Sequence, residues 1–111
     1  MKIRQFEIWL TKLNPGYGTE PGKTRPAVII QSDFLNESHS STIICPITTQ
    51  IISESKVLRV HLPDGQLDKT SDILVDQIRA IDKRRLIKKV GQLNKSQNEI
   101  LKENVKIVLD L

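Results

Sequence analysis

One arginine stands out in this sequence because its neighbours fix its position. The segment 18–25 is rich in turn-forming residues and ends in Arg25, which precedes Pro26 and the apolar run 27–30. A proline restricts the preceding residue to extended conformations, and its missing amide hydrogen is best tolerated at the first residue of a strand. We therefore expect Arg25 where a loop meets a sheet. Its planar, charged guanidinium suits phosphate binding, although an ordinary surface salt bridge also explains the pattern.

A second polar group follows another predicted strand. Thr48, Thr49 and Gln50 come directly after the apolar run 43–47. If this strand pairs with the strand after Arg25, a threonine hydroxyl and a guanidinium would flank one phosphate. Such a pair can orient and stabilise the transition state of phosphoryl transfer. The alternative role of Thr48 is structural, as a β-branched strand residue that bonds to nearby backbone.

The residues that other site chemistries need are absent or badly spaced. His39 and His61 are the only histidines, and neither has a second candidate ligand at metal-binding spacing, so no metal site is predicted. The sequence Gly22-Lys23-Thr24 matches the end of a phosphate loop, but Tyr17 stands where that motif needs its first glycine. Cys45, the only cysteine, lies in an apolar run, which predicts a packing role and excludes a disulfide within the chain.

Composition indicates one small domain that spans residues 1–111. The sequence is 38% hydrophobic, which is enough for one modest core. We expect a cytoplasmic protein, because the N-terminus lacks a signal peptide's apolar stretch and no run approaches the length of a membrane span. The 17 Lys and Arg against 13 Asp and Glu give a net charge of +4, which favours polyanions without requiring them. Aromatic residues make up only 4%, too few for a long stacking platform on single-stranded nucleic acid.

Short strands separated by turn residues dominate the pattern. Apolar or alternating segments predict strands over residues 6–13, 26–30, 43–47, 56–62, 73–75 and 78–81. The polar pair Asp76-Gln77 predicts a kink or bulge between the last two. A capping box at residues 96–99 predicts a C-terminal helix, whose apolar positions are Leu101, Val105 and Val108. The predicted fold class is mainly β with a C-terminal helix, as a small, strongly bent sheet or barrel.

Three separated motifs resemble those of the MazF/PemK toxins. They are the glycine-rich loop 18–24 that leads into Arg25-Pro26, the run PITTQ at 46–50, and the run DQIRAID at 76–82. They occur in the family's order, and the opening Glu7-Ile8-Trp9 strand and the closing helix match as well. The resemblance implies a small SH3-like barrel that forms a homodimer. It also implies a sequence-specific endoribonuclease for single-stranded RNA that needs no metal or cofactor and is neutralised by a cognate antitoxin.

The resemblance also assigns roles residue by residue. Arg25 and Thr48 match the family's catalytic pair, while Thr19, Glu20 and Gln77 match positions that line its RNA groove. Cleavage without a metal uses the 2′-hydroxyl of RNA as the nucleophile, so the enzyme must align that attack and stabilise the added negative charge. Arg25 would stabilise the charge. Thr48 would hydrogen-bond a phosphate oxygen or the attacking hydroxyl.

Two aromatic residues of the first strand bear on the groove. Trp9 is a further RNA-binding candidate because its ring can stack on a base, although a half-buried Trp in a small barrel is at least as often core. Phe6 departs from the family pattern, in which a glycine often precedes the acidic residue. This departure leaves the activity class intact and bears on groove shape and base preference.

Two other functions fit the same residues. The first is a non-enzymatic poison of the related CcdB kind, which shares the barrel but binds a topoisomerase. The second is a DNA-binding regulator that acts with its antitoxin and retains operator DNA without cutting it, more weakly as salt rises. Cleavage of RNA in EDTA by the purified protein distinguishes the nuclease from both.

Overall fold

A computed structural model describes residues 2–13, 18, 23–51, 58–63 and 66–111 of the chain. In this part of the chain the strands are β1 (Glu7–Lys12), β2 (Thr24–Ile29), β3 (Ser41–Thr48), β4 (Arg59–Leu62), β5 (Ser71–Leu74), β6 (Arg79–Asp82) and β7 (Leu86–Gln92). The helices are α1 (Asp33–Asn36) and α2 (Lys95–Leu109), and 3₁₀ turns cover Val75–Gln77 and Lys83–Arg85. None of the helices described here has the length and apolar character that a membrane crossing requires.

The strands form one antiparallel sheet organised around β3. The hydrogen-bonded order is β4-β5-β3-β2-β1-β7, and β6 also pairs with β3. β6 pairs with residues 41–44 of β3 and β5 with residues 47–48, so the two share one edge, while β2 pairs along the other. The 3₁₀ turn Val75–Gln77 separates β5 from β6, which confirms the predicted kink. The mainly β fold with a C-terminal helix is confirmed; among the described residues no pairing joins β7 to β4 to close the sheet.

The central strands β1, β2 and β3 bury residues on both faces of the sheet, because apolar side chains occupy successive positions whose directions alternate along a strand. The first core cluster, to which α2 contributes Leu101, consists of Ile8, Val28, Cys45, Ile47, Val60, Leu62, Ile73, Val75, Leu93 and Leu101. The second cluster consists of Ile3, Trp9, Leu13, Ala27, Ile29, Ile44, Ile81 and Leu86. Sequence neighbours such as Ile8 and Trp9 therefore belong to different clusters.

β2 begins earlier than the sequence predicts. The prediction placed Pro26 at the first residue of the strand, but β2 starts at Thr24 because its ladder with β1 continues through Arg25, which pairs with Thr11. Pro26 is tolerated inside the strand because the ladder between β2 and β3 starts only at Ala27. Arg25 is therefore held by strand pairing on one side.

The C-terminal helix starts two residues before the predicted position. Asn94 is the N-cap: its side chain accepts a hydrogen bond from the amide of Gln97 at 2.9 Å, and the Gln97 side chain accepts one from the amide of Asn94 at 3.0 Å. The predicted box at Ser96 is wrong, because Asn94 is an equally good cap and places Gln97 at the third helical position. The predicted apolar positions are confirmed, since Leu101 is buried and Val105 and Val108 pack against the first core cluster.

Two elements were not predicted from the sequence. α1 lies inside the mostly polar segment 31–42, and the Ser32 side chain caps it by accepting from the amide of Leu35 at 3.4 Å. β7 shows no alternation, because its middle residues 87–90 are all exposed and consist of two apolar residues around two lysines. Its place in the sheet follows from pairing with β1, which local sequence does not encode.

Candidate functional site

A cleft of about 1350 Å³ opens beside the ends of β2 and β3. Its walls include the first residues of β2, the last residues of β3 and those that follow, the segment 66–69 and the middle of β7. Arg25 and Thr48 both line it. The structure therefore brings the two predicted catalytic side chains to one place.

Strand register explains this convergence. Ala27 pairs with Pro46 across β2 and β3. Two residues further toward the same end of the sheet stand Arg25 and Thr48, and residues two apart along a strand share a face. Thr48 in turn pairs with Asp72 of β5. Extending the register therefore places Arg25, Thr48 and Asp72 in one row across three strands.

The Thr48 hydroxyl is held by the chain that follows it. Thr48 is 7% exposed, and its Oγ1 accepts a hydrogen bond from the amide of Gln50 at 3.1 Å. This bond is the structural role that the sequence left open. A hydroxyl carries one hydrogen and two lone pairs, so an oxygen that accepts this bond still has its hydrogen to donate. The structural role and a role in binding phosphate are therefore compatible.

Arg59 is a cleft residue that the sequence did not single out. Its Nη1 donates to the carbonyl oxygen of Gln50 at 2.6 Å and to Oδ2 of Asp72 at 3.3 Å. The Nδ1 atom of His61 lies 3.0 Å from the other carboxylate oxygen of Asp72. Arg59 and His61 alternate with Val60 and Leu62 in the predicted strand 56–62, and this alternation was the available signal. Their partner Asp72 could not be identified before the pairing of β4 with β5 was known.

Basic side chains dominate the cleft. Among the described lining residues the positively charged ones are Lys23, Arg25, Arg59, Lys69, Lys88 and Lys89, and Asp68 is the acidic one. Clustered positive charge attracts polyanions, and the attraction weakens as salt screens it. The cleft is therefore electrostatically suited to a phosphate backbone.

Trp9 is buried in the core and is not among the described residues that line the cleft. It is 8% exposed, belongs to the second core cluster, and its Nε1 donates to Oε1 of Glu7 at 3.0 Å. Burial opposes ionisation of Glu7, but hydrogen bonds from Trp9, the Arg4 amide and Lys89 outweigh it and lower its pKa. Oε2 of Glu7 lies 3.1 Å from Nζ of Lys89. This burial favours the core role of Trp9 over base stacking, and its carboxylate partner positions a lysine of the cleft.

Of the other predicted groove residues, the structure describes Gln77 alone. Gln77 is half-buried in the 3₁₀ turn Val75–Gln77, which packs against α2, and it is not among the described lining residues. Thr19 and Glu20 lie outside the described residues. The roles of these three residues stay predictions.

The wall formed by residues 66–69 is tied to α2 by a pair of amides. Nε2 of Gln66 donates to Oε1 of Gln97 at 2.7 Å, and Nε2 of Gln97 donates to Oε1 of Gln66 at 2.6 Å. Gln66 also donates to the carbonyl oxygen of Gln92 at 3.1 Å. Since Gln97 belongs to the capping box, the start of the helix and this wall are positioned together.

Cys45 has the packing role that was predicted. It is buried in the first core cluster, and burial, with the nearby negative charge of Asp76, raises the pKa of its thiol to about 12. A thiol that stays protonated is a poor nucleophile. Within the described residues, no three His, Cys, Asp or Glu side chains are grouped so that they could hold a metal ion.

Comparison with known proteins shows that this chain is similar to proteins of one family. Residues 4–109 match the family described as PemK-like, MazF-like toxin of type II toxin-antitoxin system. The chain is 39% identical over 98 residues to the endoribonuclease MazF of Staphylococcus epidermidis, covering 86% of this chain and 81% of that protein. The Form-I crystal structure of MazF from Deinococcus radiodurans has a TM-score of 0.86 at 20% identity, covering 100% of this chain and 99% of that one. A mycobacterial endoribonuclease solved with its cognate antitoxin has a TM-score of 0.81 at 15% identity, covering 98% and 96%.

These matches differ in what they support. The two solved structures are too distant in sequence to show more than the fold. The family match and the staphylococcal relative span most of the chain, and they agree with the three motifs that resemble the MazF/PemK toxins. The chain therefore belongs to the PemK-like, MazF-like toxins of type II toxin–antitoxin systems, which are endoribonucleases.

Proposed function

We propose that this protein cuts single-stranded RNA at short specific sequences by attack of the 2′-hydroxyl, without a metal ion. The observation that carries the proposal is the convergence of Arg25 and Thr48 in one basic cleft. The charge of the cleft suits an RNA backbone, and the unstacked bases of a single strand are open to reading by sequence.

In the proposed reaction the 2′-oxygen bonds to the adjacent phosphorus and the bond from phosphorus to the 5′-oxygen breaks. The 2′-hydroxyl loses a proton and the departing 5′-oxygen gains one, so the products are a 2′,3′-cyclic phosphate and a 5′-hydroxyl. Negative charge grows on the phosphate oxygens, where the Arg25 fork stabilises it electrostatically. Thr48 donates its hydroxyl hydrogen to a phosphate oxygen, and the bond that its oxygen accepts from the amide of Gln50 leaves this hydrogen available.

We further propose that the protein acts in the cytoplasm as a homodimer and is held inactive by a cognate antitoxin. Support for the antitoxin comes from the family, whose systems pair a toxin with an antitoxin, and from the mycobacterial endoribonuclease solved with its own. An antitoxin segment with acidic side chains would complement the charge of the cleft.

Incubation of the purified protein with single-stranded RNA in EDTA tests the proposed function. We expect fragments with a 5′-hydroxyl at the downstream end, and mapping these ends identifies the cut sequence. An oligonucleotide with a single 2′-deoxy residue before the cut should stay intact, because it lacks the nucleophile. RNA that remains intact under these conditions would contradict the proposal and favour the CcdB-like poison.

The role of Thr48 has its own test. Thr48→Val keeps the shape of the side chain and removes the hydroxyl, so we expect the single-turnover cleavage rate to fall by about 100-fold. Affinity for the uncleavable 2′-deoxy oligonucleotide should change little, since basic side chains supply most of the attraction. A rate within a few-fold of wild type would show that Thr48 donates no important hydrogen bond in the reaction.

A further inference from the structure

The chain leaves the sheet directly after Thr48. The last β3 pairing joins Thr48 to Asp72, and the next two residues, Thr49 and Gln50, are exposed and outside any strand. Backbone groups that leave a ladder need other partners, and a segment without them adopts many conformations. A position as exacting as that of the Thr48 hydroxyl therefore requires contacts from elsewhere in the fold.

Arg59 supplies such a contact. Its Nη1 binds the carbonyl oxygen of Gln50 at 2.6 Å, and the amide of the same residue donates to Thr48 Oγ1 at 3.1 Å. Both hydrogen-bonding groups of the Gln50 backbone are thus engaged. Arg59 comes from β4, so this contact ties the segment to a strand beyond β5.

Asp72 fixes Arg59 in turn. The Arg59 and Asp72 side chains are 16% and 4% exposed, so the ion pair is largely shielded from solvent. Shielding strengthens a charge-assisted bond and leaves either charge costly to bury if its partner is lost. Asp72 is not among the described residues that line the cleft, although it stands opposite Thr48 in the register.

We infer that Asp72 and Arg59 are positioning residues for the Thr48 hydroxyl. The contacts run from the Asp72 carboxylate to the Arg59 guanidinium, to the Gln50 backbone, and to Thr48 Oγ1. The inference deepens the proposed function and rests on it, because it assigns a task to residues outside the proposed catalytic pair. Loss of the Asp72 or the Arg59 charge should therefore change the rate of the chemical step.

Direct binding of an RNA phosphate by Arg59 is the competing role, since Arg59 also lines the cleft. The two roles predict different kinetics. A phosphate contact contributes to affinity, so its loss raises KM. It also reduces the slope of log affinity against log salt concentration by about one. The loss of a positioning residue displaces a reacting group by a fraction of an ångström, and this lowers kcat instead.

Asp72→Asn is the more informative variant because it keeps the size of a side chain outside the cleft lining and removes its charge. We expect kcat to fall by about 10-fold to 100-fold, with KM and the salt dependence unchanged. Arg59→Met should lower kcat similarly, and Arg59→Lys, which retains one donor nitrogen and the charge but not the planar fork, should restore part of the loss. The double variant of Asp72→Asn and Arg59→Met should be no slower than Arg59→Met alone, because both act through one contact.

A second readout does not require activity. Three-bond NMR couplings across the Thr48 side-chain torsion should report one rotamer in the wild type and averaging in Asp72→Asn and Arg59→Met. Arg84→Met is the matched control. It breaks an Arg–Asp pair at 3.0 Å to Asp82, but this pair is exposed and neither residue is among the described cleft residues. It should leave kcat and the Thr48 rotamer unchanged.

The outcomes separate this inference from the proposed function. A full kcat and a single Thr48 rotamer in Asp72→Asn would overturn the inference while RNA cleavage by the wild type upheld the function. A higher KM with a lower salt dependence in Arg59→Met alone would replace positioning by phosphate binding. If the wild type cut no RNA, the proposed function would fail and the Thr48 couplings would still decide whether Asp72 and Arg59 fix the hydroxyl. If the other variants unfold, Arg59→Lys, which keeps the buried charge, provides the test. A kcat below that of the wild type at unchanged KM supports the inference, and a full kcat with a single Thr48 rotamer contradicts it.

Discussion

Arg25→Ala is expected to slow RNA cleavage by about 1,000-fold. A guanidinium that stabilises charge on a transferring phosphoryl group acts mainly in the transition state, and removing one such donor costs factors of this order. The fold should survive, because Arg25 belongs to neither core cluster and alanine can keep its backbone pairing with Thr11. Single-turnover rates with saturating protein measure the effect on chemistry apart from binding.

Arg25→Lys gives the control for this result. Lysine keeps the positive charge but loses the planar fork, so we expect a rate between those of the wild type and Arg25→Ala. Thermal unfolding of all three proteins verifies that they remain folded. An Arg25→Ala protein that cuts RNA at the wild-type rate would remove Arg25 from the proposed reaction.

Leu101→Ala should lower the free energy of unfolding by about 3 kcal/mol. Leu101 is 1% exposed and joins α2 to the first core cluster, so truncation removes buried apolar contacts and leaves a cavity. Urea unfolding at fixed protein concentration measures the change through the shift of the midpoint.

The same helix offers a matched control. Ile107→Ala removes a side chain of similar size that is 58% exposed, so we expect a change of no more than about 0.5 kcal/mol. Equal losses at the two positions would mean that burial of Leu101 against the sheet does not hold α2 in place.

The sequence predicted the parts of the site that local chemistry specifies. Pro26 restricts Arg25 to an extended conformation, and the apolar run before Thr48 identifies a buried strand, so both residues could be placed at strand ends. The resemblance to the MazF/PemK toxins then related these two ends to each other. Their approach in space depends on the register of β2 and β3, which the structure supplies.

The remaining parts depend on pairing between distant segments. Arg59 and Asp72 are 13 residues apart and meet only because β4 and β5 are neighbours in the sheet. β7 can be identified as a strand only from its pairing with β1. The N-cap was misplaced because Asn94 and Ser96 are both good caps, and the reciprocal bonds with Gln97 decide between them.

Phe6 shows how the structure explains a departure from the family pattern. Its φ of 71° lies in the left-handed region, where glycine is favoured because it has no Cβ. Here the aromatic ring packs against the first core cluster, and Nζ of Lys102 lies 5.5 Å from its centroid. Favourable packing and a cation–π contact offset the strained backbone.

The reciprocal amide pair between Gln66 and Gln97 responds to salt differently from the basic side chains of the cleft. Neither amide carries a charge, so the bonds between them do not titrate and are insensitive to dissolved ions. The attraction of the lysines and arginines for a polyanion, in contrast, decays as ionic strength rises. Added salt should therefore weaken the attraction of the cleft for any polyanion, while the bonds that hold the wall at residues 66–69 stay the same.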